Sequence, residues 1–127
     1  MINWLEKRRN FAIILTLLIA VEIFFFSSIP GIGLASPNKL NFSIIYHFSA
    51  FFLLNFFLII SLNKGKKIKI KYIVIALVLS IIYSILDEIH QLFVPSRYPD
   101  FEDIITNNAG IFFSTLTYLY SKRLVKD

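Results

Sequence analysis

Four apolar stretches, roughly Phe11 to Ile29, Phe42 to Leu62, Tyr72 to Phe93 and Ile104 to Tyr120, take up most of the 127-residue chain. A hydrocarbon core of about 30 Å is crossed by about 20 residues of helix, so each stretch is long enough to span a bilayer. Composition agrees, with 57% hydrophobic residues, 17% aromatic residues and a mean hydropathy of +0.70, far from a soluble domain of this length. Gly, Pro, Asn and Lys punctuate the gaps, as in IPGIGLASPNK and NKGKK, and none leaves room for a second domain. The expected architecture is all-α: one polytopic membrane domain over residues 1–127, built as a bundle of four transmembrane helices, without internal repeats.

The net charge of +5 raises the question of nucleic acid, and its distribution points to topology instead. Lys7, Arg8 and Arg9 precede the first stretch. Lys64, Lys66, Lys67, Lys69 and Lys71 separate the second from the third, and Lys122, Arg123 and Lys126 follow the fourth. Only Lys39 and Arg97 fall on the other side. Basic loops stay cytoplasmic, so both termini are expected inside a bacterial cytoplasmic membrane, with the 30–41 and 94–103 loops facing outward. Anionic lipid headgroups are natural neighbours of the lysines, and no nucleic-acid partner is expected. The first stretch followed by GLAS also reads as a secretory signal cleaved at Ala35. Its length and the interrupting Glu22 favour a retained anchor. With no cysteine, thiolate chemistry, disulfides and Cys-based metal sites are excluded.

Polar residues in such a chain are expensive, at about 2.5–3.5 kcal/mol each for a charged side chain at the centre of a span, and mark function by default. In the third stretch Ser80, Tyr83, Ser84, Asp87, His90 and Gln91 recur at helical spacing, while Ile81, Ile82, Ile85, Leu86 and Ile89 cover the other side. The fourth repeats the pattern with Asp103, Asn107, Gly110, Ser114 and Thr117. In lipid these stripes must turn toward other helices or a wet cavity. Gly110 and Ser114 form a small-xxx-small step that allows close backbone approach.

His47 and Asp87 lie at matching depths near the outer ends of their stretches. Asp103 starts the fourth at the same face, and Arg97 sits in the short turn between Pro95 and Pro99. One outward polar cluster is therefore expected from His47, Asp87, Glu88, His90, Gln91, Arg97, Asp103 and Asn107, with Glu22 as a further partner for Arg97 or a histidine. Below it, the inner half offers Ser80, Asn55 and the hydroxyls of the last helix. Structural readings stand beside the functional one: Asp103 favouring its helix dipole with Asp100 as cap, Asn107 stitching helices, and Arg97 ion-paired with Asp87 or Glu88.

The run Asp87, Glu88, His90, Gln91, Pro95 and Arg97, followed by Asp103, Asn107 and Gly110, resembles the VanZ-like family of bacterial membrane proteins. SSIP at Ser27–Pro30 and YHFSAFFLL around His47 extend the resemblance upstream. Phe51 stands where an aromatic hydroxyl is common in the family, and Ser114 replaces a frequent glycine, without loss of a charged group. The resemblance implies a cell-envelope role, since the family is named for a protein associated with lowered susceptibility to the glycopeptide teicoplanin. A phosphotransbutyrylase label borne by some relatives is not carried over, because acyl-CoA chemistry needs room that these loops lack.

Three function classes follow. The first is a binding protein whose outward cluster takes a membrane lipid, a lipid-linked or cell-wall precursor, or a glycopeptide, with Arg97 meeting a phosphate or carboxylate and the phenylalanines an acyl chain. The alternative is an intramembrane enzyme acting on a lipid headgroup, with Asp87 or Glu88 as base, His47 or His90 as proton carrier and Arg97 as clamp. No cofactor or metal is expected, although His47, Asp87, Glu88 and His90 are chemically suited as ligands. An ion pathway is disfavoured, because the cluster is confined to one half of the membrane.

Overall fold

The computed structural model describes residues 2–31, 37–63, 67–98 and 100–124, and at 3 and 37–41 the backbone alone. The Ala35 cleavage position, Lys64, Lys66, Pro99, Lys126 and the side chain of Lys39 lie outside the described residues. Five helices follow in order: α1 (Ile2–Lys7), α2 (Arg9–Ser27), α3 (Pro37–Leu62), α4 (Ile70–Gln91) and α5 (Phe101–Leu124), with no strand among the described residues. The helices α2 to α5 alternate in direction. One end, the loop end, gathers the turn after α2, the start of α3 and the 92–100 connection. The other, the terminal end, gathers α1, the end of α3 and the end of α5.

Local chemistry sets these boundaries. Ser28 closes α2 two residues before Pro30, and its backbone N–H reaches the carbonyls of Phe24 and Phe25. After α4 the chain runs through tight turns over Leu92–Arg97. Asp100 then caps α5, its Oδ1 accepting the Glu102 N–H at 2.9 Å. Glu102 and Asp103 occupy the first turn of α5 and Lys122 and Arg123 the last, each favoured by the helix dipole.

The packing is inverted relative to a soluble protein. Asn55, Ser84, Asn107 and Ser114 are fully buried, while Val21 and Phe25 are more than 60% exposed. Such a surface fits a hydrocarbon environment. Three helices among the described residues are long and apolar enough to cross a membrane: Arg9–Ser27, Phe42–Leu62 and Ile70–Gln91. Of the four expected spans, α5 falls short of this measure. At 24 residues α5 has the length, but Glu102, Asp103, Asn107, Asn108, Ser114, Thr115 and Thr117 dilute its apolar character.

Those polar residues serve packing. Asn107, Gly110, Ile111, Ser114, Thr115, Tyr118 and Lys122 recur at helical spacing and are all buried. Gly110 is required because a Cβ there would stand 2.3 Å from the Phe48 carbonyl oxygen, so α3 and α5 meet backbone to backbone. One turn further along, Asn55 joins three helices. Its Nδ2 donates to Ile111 O at 3.0 Å, Ser114 Oγ at 2.7 Å and Thr115 Oγ1 at 2.9 Å, and its Oδ1 accepts from Ser80 Oγ at 3.1 Å.

The terminal end is more polar than its sequence indicates. Lys122 Nζ pairs with Glu6 Oε2, the Tyr118 hydroxyl donates to Glu6 Oε1 at 2.8 Å, and Asn63 Nδ2 donates to Tyr118 Oη at 2.7 Å. The expectation that this half holds only Ser80, Asn55 and hydroxyls is therefore corrected. The short helix α1, an element not foreseen, carries Glu6 under the bundle.

Candidate functional site

At the loop end, α3, α4 and α5 bring His47, Asp87, Glu88, Gln91, Asp103 and Asn107 together. His47 lies one residue before Phe48, where α5 is drawn in by Gly110, so the imidazole falls beside α5. Its Nδ1 is 3.0 Å from Asn107 Oδ1, and its Nε2 is 3.6 Å from Asp103 Oδ2. An Asn carbonyl oxygen accepts, so Nδ1 carries the proton and Nε2 is turned to the carboxylate. Asp103 precedes the apolar stretch of α5.

Asp87 and Glu88 are adjacent, yet both are buried, because α4 is wedged between α2 on one side and α3 and α5 on the other. Asp87 faces α2, where the Ser27 hydroxyl donates to its Oδ1. Glu88 faces the start of α5, its Oε2 accepting the Asp100 N–H at 3.3 Å. Gln91 Nε2 reaches both, at 3.3 Å from Asp87 Oδ2 and 3.5 Å from Glu88 Oε1. Burial of two neighbouring acids needs such donors, since an unpaired charge in low dielectric is costly.

Two expected members turn elsewhere. His90 stacks on Phe24 with ring centroids 4.6 Å apart and places Nε2 3.0 Å from Ser28 Oγ. It therefore belongs to the α2–α4 seam rather than to the group around His47. Arg97 donates Nε to Ile29 O at 3.1 Å and Nη2 to Phe26 O at 2.8 Å, so it holds the carboxyl end of α2 where the helix dipole is negative. The alternative reading of Arg97 as an ion-pair partner of Asp87 or Glu88 gives way to this contact. Among the described residues Glu6–Lys122 is an ion pair, and His47–Asp103 becomes one only on protonation of the imidazole.

A second latch lies beside it. The Gly31 N–H donates to Pro95 O at 3.2 Å, and a Cβ at Gly31 would lie 2.0 Å from Ser96 O. Ser96 itself adopts φ 58°, a left-handed conformation uncommon outside glycine. Ser27 and Ser28 entered the sequence reading only through the SSIP resemblance, and neither they nor Gly31 were read as part of the site. The SSIPG run at the end of an apolar stretch looks like a simple helix stop, and its partners across the site lie at least 60 residues away.

Between α2, α3 and the 92–100 connection opens a cavity of about 630 Å³. His47, Gln91, Arg97, Asp100 and Asp103 line its polar part, Glu22 joins from α2, and Phe26, Ile29, Phe42 and Tyr46 form its apolar wall. Phe42 is 73% exposed, so that wall continues onto the lipid-facing surface. The arrangement is amphipathic and sized for a small-molecule group. A model of the VanZ/LLP1 family matches residues 11–124, which takes in every element of the cavity. No curated protein and no solved structure matches the chain.

Proposed function

The chain belongs to the VanZ/LLP1 family, and from that premise and the cavity's make-up we propose that it is a cell-envelope protein binding the headgroup of a lipid-linked or cell-wall component. The observation that carries this reading is the continuity of the polar cavity with the apolar wall of Phe26, Ile29 and Phe42. Carboxylates of Glu22, Asp100 and Asp103 suit the hydroxyls and amines of a sugar or peptide headgroup. Arg97 spends two donors on α2 and keeps others for a phosphate or carboxylate. A volume of about 630 Å³ takes a headgroup and the first carbons of a chain rather than a whole glycopeptide antibiotic. Lowered teicoplanin susceptibility is, on this reading, a consequence of handling a wall component.

In the topology that goes with this reading, α2, α3, α4 and α5 all cross a bacterial cytoplasmic membrane as one domain. Both termini and the Lys-rich 63–71 connection lie inside, and the cavity opens to the outer leaflet. Support for a fourth crossing comes from α5, whose 24 residues reach about 36 Å at about 1.5 Å each and whose buried polar face is covered by α3.

The test is binding of a fluorescent lipid-linked wall precursor to full-length protein in liposomes. Saturable binding, weakened at least tenfold in Asp103→Asn, is expected, whereas the absence of saturable binding by the wild type overturns the proposal. An enzymatic reading has one observation in its favour: Asn107 fixes the His47 tautomer and leaves Nε2 facing Asp103, a geometry suited to proton transfer. Mass spectrometry of the bound lipid after incubation separates the two, since binding leaves it intact and turnover that depends on His47 does not.

A further inference from the structure

Around His47 one set of atoms has unmet capacity. His47, Asp87 and Glu88 each offer a ligand atom within 4.8 Å of the others, and all three residues are buried. We propose that these residues hold a first-row divalent transition-metal ion, Zn²⁺ or Mn²⁺ in class, between α3 and α4 beside the cavity. This goes beyond the headgroup-binding reading and does not depend on it.

The donor set is one imidazole nitrogen and two carboxylate oxygens, the mixture that such ions take. Ligand bonds of about 2.0–2.2 Å bring tetrahedral donors to about 3.4 Å from one another, so the three atoms close by about 1.4 Å at most. The imidazole is already oriented as a metal ligand requires. Its Nδ1–H is given to Asn107 Oδ1, which fixes the ring and leaves the Nε2 lone pair available. The two carboxylates accept hydrogen bonds from Ser27, Gln91 and the Asp100 N–H and retain further lone pairs.

The amide that holds the imidazole is itself incompletely satisfied. Asn107 is fully buried, and among the described residues its Nδ2 has no hydrogen-bond partner. A buried amide donor without an acceptor is costly, and here it stands beside the imidazole. Charge points the same way. Asp87, Glu88 and Asp103 surround one imidazole, while Arg97 donates to carbonyls of α2. A dication balances this excess more fully than a protonated histidine does.

Full-length protein in detergent micelles, stripped with chelator and reloaded with Zn²⁺ or Mn²⁺, provides the test. About one ion per chain is expected by elemental analysis. His47→Asn and Glu88→Gln are expected to weaken binding at least tenfold, and Asn107→Ala by about 10–100-fold through loss of its hold on the imidazole. Asn107→Asp, which keeps an acceptor for Nδ1–H, is expected to bind nearly as wild type, and so is Glu102→Gln on the exposed face of α5. A second readout avoids dependence on those variants. Mn²⁺-loaded wild type is expected to show imidazole-nitrogen coupling in pulsed EPR, persisting in His90→Gln, which leaves His47 as the remaining one of the chain's 2 histidines. Absence of stoichiometric uptake, equal uptake by all variants, or absence of nitrogen coupling overturns the proposal. None of these outcomes bears on lipid binding, which the liposome assay measures separately.

Discussion

At the terminal end of the bundle Glu6 pairs with Lys122, and Tyr118 and Asn63 extend the hydrogen-bonded cluster. At the loop end Asp87, Glu88 and Asp103 share one imidazole, two carboxylates lean on the same Gln91 amide, and an Asn107 donor has no acceptor among the described residues. Both clusters are buried polar groups in a mainly apolar chain. The first pairs its acid with a cation, whereas the second carries surplus acid beside a cavity. A charge-matched cluster is retained for structure, while surplus acid beside a cavity leaves capacity for something that binds.

The contrast breaks most visibly at Lys122. Replacing it with Met leaves the Glu6 carboxylate buried without its cation, a loss of about 3–5 kcal/mol when one partner of a buried pair is removed. Unfolding of purified protein in mixed micelles measures it. The pair Glu6→Gln with Lys122→Met removes both charges and keeps an acceptor for the Tyr118 hydroxyl, so most of the loss is expected to return. A single variant that costs under about 1 kcal/mol is incompatible with a structural role for this cluster.

Asn55 gives an intermediate effect. Its amide bridges α3, α4 and α5, yet Ser114 and Thr115 also donate back to the Ile111 carbonyl at 2.8 and 3.0 Å and stay satisfied without it. Interhelical hydrogen bonds in membranes average about 0.6 kcal/mol, so Asn55→Ala is expected to cost about 1–2 kcal/mol. Lipid and metal binding at the loop end are expected to stay as in wild type. A tenfold loss of either in Asn55→Ala means that the two halves are energetically one unit.

The sequence made some of this legible and hid the rest for identifiable reasons. Apolar length located α2, α3 and α4 to within a few residues at most ends, though α3 begins five residues earlier than expected, at Pro37. Helical periodicity put Ser80, Ser84, Asp87 and Gln91 on the buried face of α4, and Asn107, Gly110 and Ser114 on that of α5. A single stripe, however, assigns one face to one neighbour. Because α4 touches α2 as well as α3 and α5, Glu88 is buried beside Asp87, while His90 falls in the α2 seam. The Glu6–Lys122 pair was invisible because each residue sits among basic neighbours far apart in sequence and reads as an interfacial charge. Arg97 misled for a different reason. Nearby acids drew the eye to an ion pair, while the carbonyls at the end of α2 carry no sequence signature at all.

Glu88→Gln is the smallest expected change in stability and the sharpest probe of the comparison. The carboxylate accepts two long hydrogen bonds, from the Asp100 N–H at 3.3 Å and from Gln91 at 3.5 Å. Hydrogen bonds to a charged group contribute about 1.5–3 kcal/mol at good geometry and less at these lengths. Against this stands the cost of holding a second buried acid next to Asp87, which the amide removes. A Gln at this position still offers its Oε1 to the Asp100 N–H. The opposing contributions leave an expected stability change within about 1 kcal/mol of zero, alongside at least tenfold weaker metal binding. If instead Glu88→Gln unfolds the bundle as readily as Lys122→Met does, the loop-end acids are structural like those of the terminal end, and the difference between the two clusters is one of exposure alone.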